Sequence, residues 1–312
     1  MDKLTCYLAK DGSYTFLPYD LPEGKSGNIE ISKQLVKKGT RMSIISLRGA
    51  LFMGLKPAAA ILDRDVYVHW LKEEGYGSWM STTPLEVEQA TRQLARAHGT
   101  VLVGGLGLGL AVCLLVMNRN VTGIVVVEKN PDVVKLVSKY VPREQKPVFY
   151  VTQDLFTYLR KLKRKRVKRV FDFAFYDIWC NPNQWTHTKV VMPLRKLSID
   201  IVPQNMIECW NELEMIGQTE QSLRTRIMLE YSEGLPKTGQ LDKLRWNIRT
   251  MSKQEFAEVR EVNRDTWPFY QWIRHVKPSQ QEANDEVEYY MKALQNAETW
   301  ESKWKYYEQL RH

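Results

Sequence analysis

The sequence is poor in metal-binding and redox signals. Its four cysteines, Cys6, Cys113, Cys180 and Cys209, are scattered, with no C-x-x-C pair and no cysteine–histidine cluster. That excludes a zinc module and a disulfide framework, and it fits free thiols in a reducing compartment. No metal site is expected. The opening residues, MDKLTCYLAKDGS, lack the apolar core of a secretory leader, so a cytoplasmic protein is expected. One uncharged run, the 17 residues Val101–Met117, approaches transmembrane length. It contains Gly104, Gly105, Gly107 and Gly109 and reads as strand, turn and helix, which argues against a membrane span. A G-x-x-x-x-G-K-[ST] phosphate loop is missing, and no Arg or Lys follows the glycines to grip a pyrophosphate. Excess positive charge is also confined to one place. The chain carries 45 Lys and Arg against 36 Asp and Glu, a net charge of +9, and eight of those nine charges fall in Arg160–Arg169, which holds no acid.

What is present centres on Val101 to Glu128. An apolar run, Val101-Leu102-Val103, meets the glycine cluster. A helical segment follows, then a second apolar run, Gly123–Val127, that stops at Glu128. Strand, Gly-rich turn, helix, strand, acid is the order of a doubly wound nucleotide-binding unit, with the acid about 20 residues after the turn. Gly105, Gly107 and Gly109 let the backbone approach a ligand. The new helix offers free N–H groups, and Glu128 can accept from both hydroxyls of a ribose. A packing turn that binds nothing is the plain alternative, but it does not require four glycines.

With 312 residues, 44% hydrophobic content and a mean hydropathy of −0.41, the chain can bury a large core as one domain with additions. Three regions are expected. Residues 1–80 form a small β-rich region, with short strands at Tyr14–Leu17, Asn28–Ser32, Arg41–Leu47 and Val66–Trp70. Residues 81–250 form a doubly wound, mostly parallel α/β domain. Its first helix starts at Thr83-Pro84-Leu85-Glu86, where Thr83 is expected to cap and Glu86 to close a capping box, and it ends at Gly99. Further strands are expected at Pro147–Thr152, Val170–Tyr176 and Gln204–Trp210, with a weaker candidate at Leu244–Thr250. Residues 251–312 form a helical extension. There Val287, Tyr290, Leu294, Ala297, Trp300, Trp304, Tyr307 and Leu310 make one apolar stripe, which packs on its own domain or on a partner subunit in a homo-oligomer.

In parallel α/β sheets ligands bind beyond the carboxyl ends of the strands. The glycine turn, Glu128, Asp154 and Asp177 follow four successive strands. They are assigned by position: Glu128 to a ribose, Asp154 to an adenine amino group, Asp177 beside the reacting centre. Gly77-Ser78-Trp79-Met80 either lines the mouth of the site or plugs a loop. Trp179 and Trp185 wall an acceptor pocket or simply pack, and His187 is a second candidate base.

From Ser81 to Trp210, about 130 of 312 residues, the chain resembles class I S-adenosylmethionine-dependent methyltransferases, most closely their spermidine-synthase-like branch. VLVGGLGLG is similar to that branch's glycine motif, VVVEKNPDVVKL to its second-strand acid and helix, VTQDLFTYL to its third-strand Asp, and FDFAFYDIW to its fourth strand. The resemblance implies a Rossmann-like sheet and S-adenosylmethionine as cofactor. Gly105, Gly107 and Gly109 would pass the methionine part, Glu128 would hold the ribose and Asp154 would meet the adenine. Asp177 is the catalytic candidate, binding or deprotonating an unidentified acceptor. The chain departs from true aminopropyltransferases. Leu106 and Leu108 stand where their glycine motif has an acid, and Asp177-Ile178-Trp179-Cys180-Asn181-Pro182 keeps only the first Asp of their polyamine-binding segment. Asn181-Pro182-Asn183-Gln184-Trp185 is only faintly similar to the Asn-Pro-Pro-aromatic motif of amino-methylating DNA enzymes. Methyl transfer is therefore the expected activity. Aminopropyl transfer from decarboxylated S-adenosylmethionine and a non-catalytic assembly role are the alternatives. The basic run reads as a solvated helix end or as a docking patch for nucleic acid or another polyanion, on the edge of the sheet opposite the glycine turn.

Overall fold

The computed structural model describes residues 6–19, 21–45, 58–142, 146–180, 182, 186–217, 281, 282 and 285. The chain divides into two units, residues 1–182 with 197–212, and residues 183–196 with 213–312.

The first unit opens with β-structure. Strands β1 (Tyr7–Leu8), β2 (Tyr14–Thr15), β3 (Gly24–Ser26), β4 (Ile29–Val36), β5 (Arg41–Ile45), β6 (Ala58–Ile61), β7 (Val66–Glu73) and β8 (Gly77–Ser81) succeed one another. Six of them form one sheet in the order β1-β2-β7-β4-β3, with β8 added on β7, while β5 and β6 pair separately. β4 and β7 are its spine, an antiparallel ladder running from Ile29 opposite Glu73 to Val36 opposite Val66. Side chains alternate across a strand. Ile29 and Ile31 on β4 and Val66 and Val68 on β7 are therefore buried at every second position. Leu17, Leu21, Ile29, Ile31 and Leu71 share one core with Val101, Val103 and Val126 of the next sheet. This shared core brings the end of β7 and all of β8 against the nucleotide-binding half.

That half follows in chain order: α1 (Pro84–Gln93), β9 (Gly99–Gly104), α2 (Leu110–Met117), β10 (Val121–Glu128), α3 (Pro131–Val137), β11 (Val148–Thr152), α4 (Leu155–Arg164), β12 (Phe173–Tyr176) and β13 (Ile207–Cys209). α5 (Met192–Ser198), between β12 and β13 in the chain, belongs to the second unit up to Lys196. The five strands are ordered β11-β10-β9-β12-β13, and every pairing is parallel. The chain walks outward from β9 to β11, then returns to the other side of β9. The switch point between β9 and β12 opens a crevice at the carboxyl ends. Strands covered on both faces read as unbroken apolar runs. Val101, Leu102 and Val103 of β9 and all four residues of β12 are accordingly buried. The all-apolar α2 has Leu110, Val112, Cys113, Leu115 and Val116 buried, as a helix apolar on every face must be.

Several boundaries differ from expectation. Pro84 does open α1, but the Thr83 side chain caps no helix amide. Its Oγ accepts from the Ser81 hydroxyl instead, and Glu86 reaches past the cap to take the Ser81 N–H and hydroxyl. The helix stops at Gln93, and Gly99 already belongs to β9. The expected strand at Gln204–Trp210 is a 3-10 turn, Gln204–Met206, followed by the short β13. Leu244–Thr250 and the aromatic stripe from Val287 to Leu310 lie outside the described residues. Among the described residues no helix is long and apolar enough to cross a membrane.

Candidate functional site

A cavity of about 560 Å³ lies at the carboxyl ends of β9, β10, β11 and β12. It brings together Gly105, Gly107, Glu128, Asp154 and Asp177. The glycine turn is built for close approach. Gly105 sits at φ +92°, and a Cβ there would meet the Asp177 carbonyl oxygen at 2.1 Å. Gly107 sits at φ +51°, and its Cβ would meet the Met80 Sδ at 2.3 Å. L-residues disfavour that backbone region, and here the space is also filled, so only glycine fits. Gly109, at φ +80°, caps α2 without any side-chain bond. The Tyr19 hydroxyl holds the turn from behind by donating to the Leu108 carbonyl.

Glu128 ends β10 and ties two loops together. Its Oε2 accepts from the Leu106 N–H at 2.8 Å and its Oε1 from the Asn130 N–H at 2.7 Å. Each carboxylate oxygen keeps a further lone pair for a ligand. Asp154 has a second duty. Its Oδ1 accepts from the Thr157 N–H and hydroxyl, so it is the N-cap of α4 as well as part of the cavity wall. Asp177 follows β12, its N–H bonded to the Gly104 carbonyl. Burial, reinforced by the charges of Glu86 and Glu128, pushes its carboxyl up to about 8. At neutral pH it is mostly protonated, yet close to its titration point.

Two further acids complete the wall, Glu73 and Glu86. Both are absent from the sequence-derived set, where Glu86 figured only as a capping residue. Burial also raises the Glu86 carboxyl, while the bonds from Ser81 pull the other way. Glu73 Oε1 accepts from the Asn28 amide and its Oε2 from the Trp79 indole at 2.7 Å. Trp79 stacks on Tyr76, with centroids 4.8 Å apart and planes 16° apart. Met80 lies against the glycine turn, its Sδ accepting from the Leu108 N–H. Gly77 to Met80 thus supplies a wall of the site through Trp79 and Met80. The only sequence signal for this was proximity to the first helix. Trp179 and Trp210 also line the cavity, whereas Trp185 lies outside the described residues. So do Asn181, Asn183 and Gln184 of the amino-methylation-like segment. His187 belongs to the second unit, where it opens a π-helical turn, His187–Val191.

The electrostatics are one-sided. Among the described residues five carboxyl groups face the cavity and Lys129 is the only cationic residue on its wall. With Trp79, Phe156, Phe175, Trp179 and Trp210 between them, the site suits a cation with flat apolar parts and repels phosphates. No group of three or more His, Cys, Asp and Glu with metal-ligand geometry occurs among the described residues.

No protein-family model matches the sequence, and no curated protein matches it. Solved structures do. A protein designated a methyltransferase from Porphyromonas gingivalis W83 is 18% identical, with a TM-score of 0.30 over 44% of this chain and 34% of that one. MnmC2 from Aquifex aeolicus is 15% identical, with a TM-score of 0.29 over 43% of this chain and 53% of that one. The matches thus span about a third and about half of those two proteins. The doubly wound assignment itself stands on the strand order of the parallel sheet.

Proposed function

We propose that the protein is an S-adenosylmethionine-dependent methyltransferase acting on an acceptor held beside Asp177. One observation carries this reading. A glycine turn bridged by Glu128 and a carboxyl group raised to about 8 share a single acidic, aromatic cavity. The residues fit the cofactor by charge and by space. Its sulfonium suits the acidic wall, and the close approach at Gly105 and Gly107 suits a ligand laid against the backbone. In this reading Glu128 holds the ribose hydroxyls, Asp154 takes the adenine amino group with the oxygen that is not capping α4, and Gly105 and Gly107 pass the methionine part. Gly109, expected with them, lies off the cavity wall against Tyr19, Val137 and Val141 and serves to start α2.

When bound, the cofactor supplies a methyl group already activated on a sulfonium. The chain has to align the acceptor and exclude water, which is where most of the rate effect lies. Trp79, Trp179 and Trp210 wall the acceptor side. Asp177, when ionised, would take the proton that the acceptor's nucleophilic atom gives up on methylation. A base with a pKa near the working pH does this best.

Aminopropyl transfer remains a second reading on one specific observation. Glu73 and Glu86 supply, from β7 and α1, carboxylates that the glycine motif and the segment after β12 lack, and these suit an ammonium acceptor. Calorimetry with S-adenosylmethionine, its decarboxylated form and S-adenosylhomocysteine separates the readings. Methyl transfer requires the first and third to bind more tightly than the second. Glu128→Ala should weaken that binding by about 1.5–3 kcal/mol, since the ribose hydroxyls lose a charged acceptor. Binding of none of the three would remove the cofactor assignment altogether. Tight binding without transfer to any acceptor would support the non-catalytic role.

A further inference from the structure

The run Arg160–Arg169 plays no part in the cavity, and none of its residues lines it. It forms the last turn of α4 and the loop into β12. α4 begins at the ligand edge with Asp154 and carries the chain roughly 15 Å to the amino-terminal edge of the sheet. There Arg169 N–H donates to the Asp200 carbonyl, and Asp172 bonds the Thr100 N–H at the start of β9. Arg160, Lys161, Lys163, Arg164, Lys165, Arg166, Lys168 and Arg169 are all exposed. Among the described residues none of the eight forms an ion pair. Arg160 lies over the Phe156 ring.

Cations at a helix C-terminus are favourable, and that alone explains three or four of them. The backbone adds a second, independent observation. Val167 N–H donates to the Leu162 carbonyl and Arg166 N–H to the Lys163 carbonyl. This pair of bonds is a Schellman cap, with Arg166 at the left-handed position that glycine normally takes. Arg166 sits at φ 55° and Arg169 at φ 48°; Asn211 is the only other non-glycine residue at positive φ among the described residues. Twice within four residues an arginine occupies a conformation that glycine would adopt without strain. Helix capping requires neither side chain. Backbone strain retained at an exposed position is the mark of a side chain with work to do.

We propose that this helix end and loop are a docking surface for the phosphate backbone of nucleic acid, separate from the acidic cavity. Four guanidinium forks match phosphate oxygens, and four lysines add point charges. Duplex nucleic acid presents one negative charge per about 1.7 Å of axis, dense enough to meet a helical turn and a loop together. A membrane surface would need an apolar anchor beside the charges. Leu162 and Val167 are partly buried and only Val170, at 42% exposure, stands out.

The test is fluorescence anisotropy of the full chain with a labelled DNA duplex of about 20 base pairs, between about 50 and about 200 mM salt. Binding should weaken by about 100-fold over that range. Replacing Lys163, Arg164, Lys165 and Arg166 together by Gln should weaken it at least about tenfold and flatten the salt slope. Arg166→Gly is the control for folding: it should raise the melting temperature yet weaken duplex binding, a pairing that a merely structural arginine cannot give. No duplex binding at low salt, unchanged binding in the fourfold variant, or tighter binding to phosphatidylserine vesicles than to duplex would each overturn the proposal.

Discussion

At the scale of single residues, Asp177 is the pivot, because the groups that make it a candidate base also make it costly to the fold. Its folded-state pKa, about 8, lies above the ordinary carboxylate value of 3.8. The folded chain therefore keeps a proton that the unfolded chain releases. The contribution to stability is fully present below pH 4 and is lost as pH rises from there through about 8. Asp177→Asn removes the titration. Its melting temperature should exceed that of the parent by more at about pH 9 than at about pH 5, and a gain independent of pH would show that the carboxyl is not raised. In kinetics the same substitution should lower kcat far more than it weakens cofactor binding. In the parent, kcat/KM should rise with pH and level near 8, since it reports the free enzyme.

At the scale of elements, much of the candidate site's layout was readable because strand ends are local facts. The apolar run of β10 stops at Glu128, that of β12 stops before Asp177, and the glycines follow β9 directly. Glu73 and Glu86 were not readable. One ends a strand of a different sheet, the other faces inward from α1, and only the shared core around Ile29, Leu71 and Val101 brings them to the cavity. The capping box assigned to Thr83 failed for a related reason. Glu86 found a better partner in Ser81 on β8, whose N–H and hydroxyl it takes together. Asp154 shows how one side chain can satisfy two readings, and its substitutions separate them. Asp154→Ala should cost about 1 kcal/mol through the lost N-cap of α4. Asp154→Asn keeps a good cap and so should preserve stability in thermal melts. If the carboxylate meets an adenine amino group, the Asn variant should still lose cofactor affinity. Full affinity in Asp154→Asn would confine the residue to capping.

At the scale of the whole molecule, charge is sorted to opposite edges of the parallel sheet: the acids at the carboxyl ends of β10 and β12, joined there by Glu73 from β7 of the other sheet, and cations at the far end of α4. Residue counts showed the cationic half at once, because its eight charges are contiguous. The acidic half is spread from Glu73 to Asp177: strand ends gather Glu128, Asp154 and Asp177, and only the fold adds Glu73 and Glu86. That concentration of acid implies a coupling between ligand charge and protonation. A sulfonium entering the cavity favours the ionised form of Asp177, so binding S-adenosylmethionine should expel a proton wherever the free protein still holds it, below about pH 8. S-adenosylhomocysteine has the same shape at ribose, adenine and amino acid but a neutral sulfur, and should expel almost none. By linkage, affinity for the charged ligand then rises with pH, by at most about tenfold per unit between pH 6 and 8, while affinity for the neutral one stays nearly flat. Calorimetry at pH 7 in two buffers of different ionisation enthalpy counts the protons released. A fractional release that vanishes in Asp177→Asn would mean that the cofactor's charge itself prepares the base for the acceptor. Equal release for both ligands would assign the proton to another group and remove Asp177 from the sulfonium's neighbourhood.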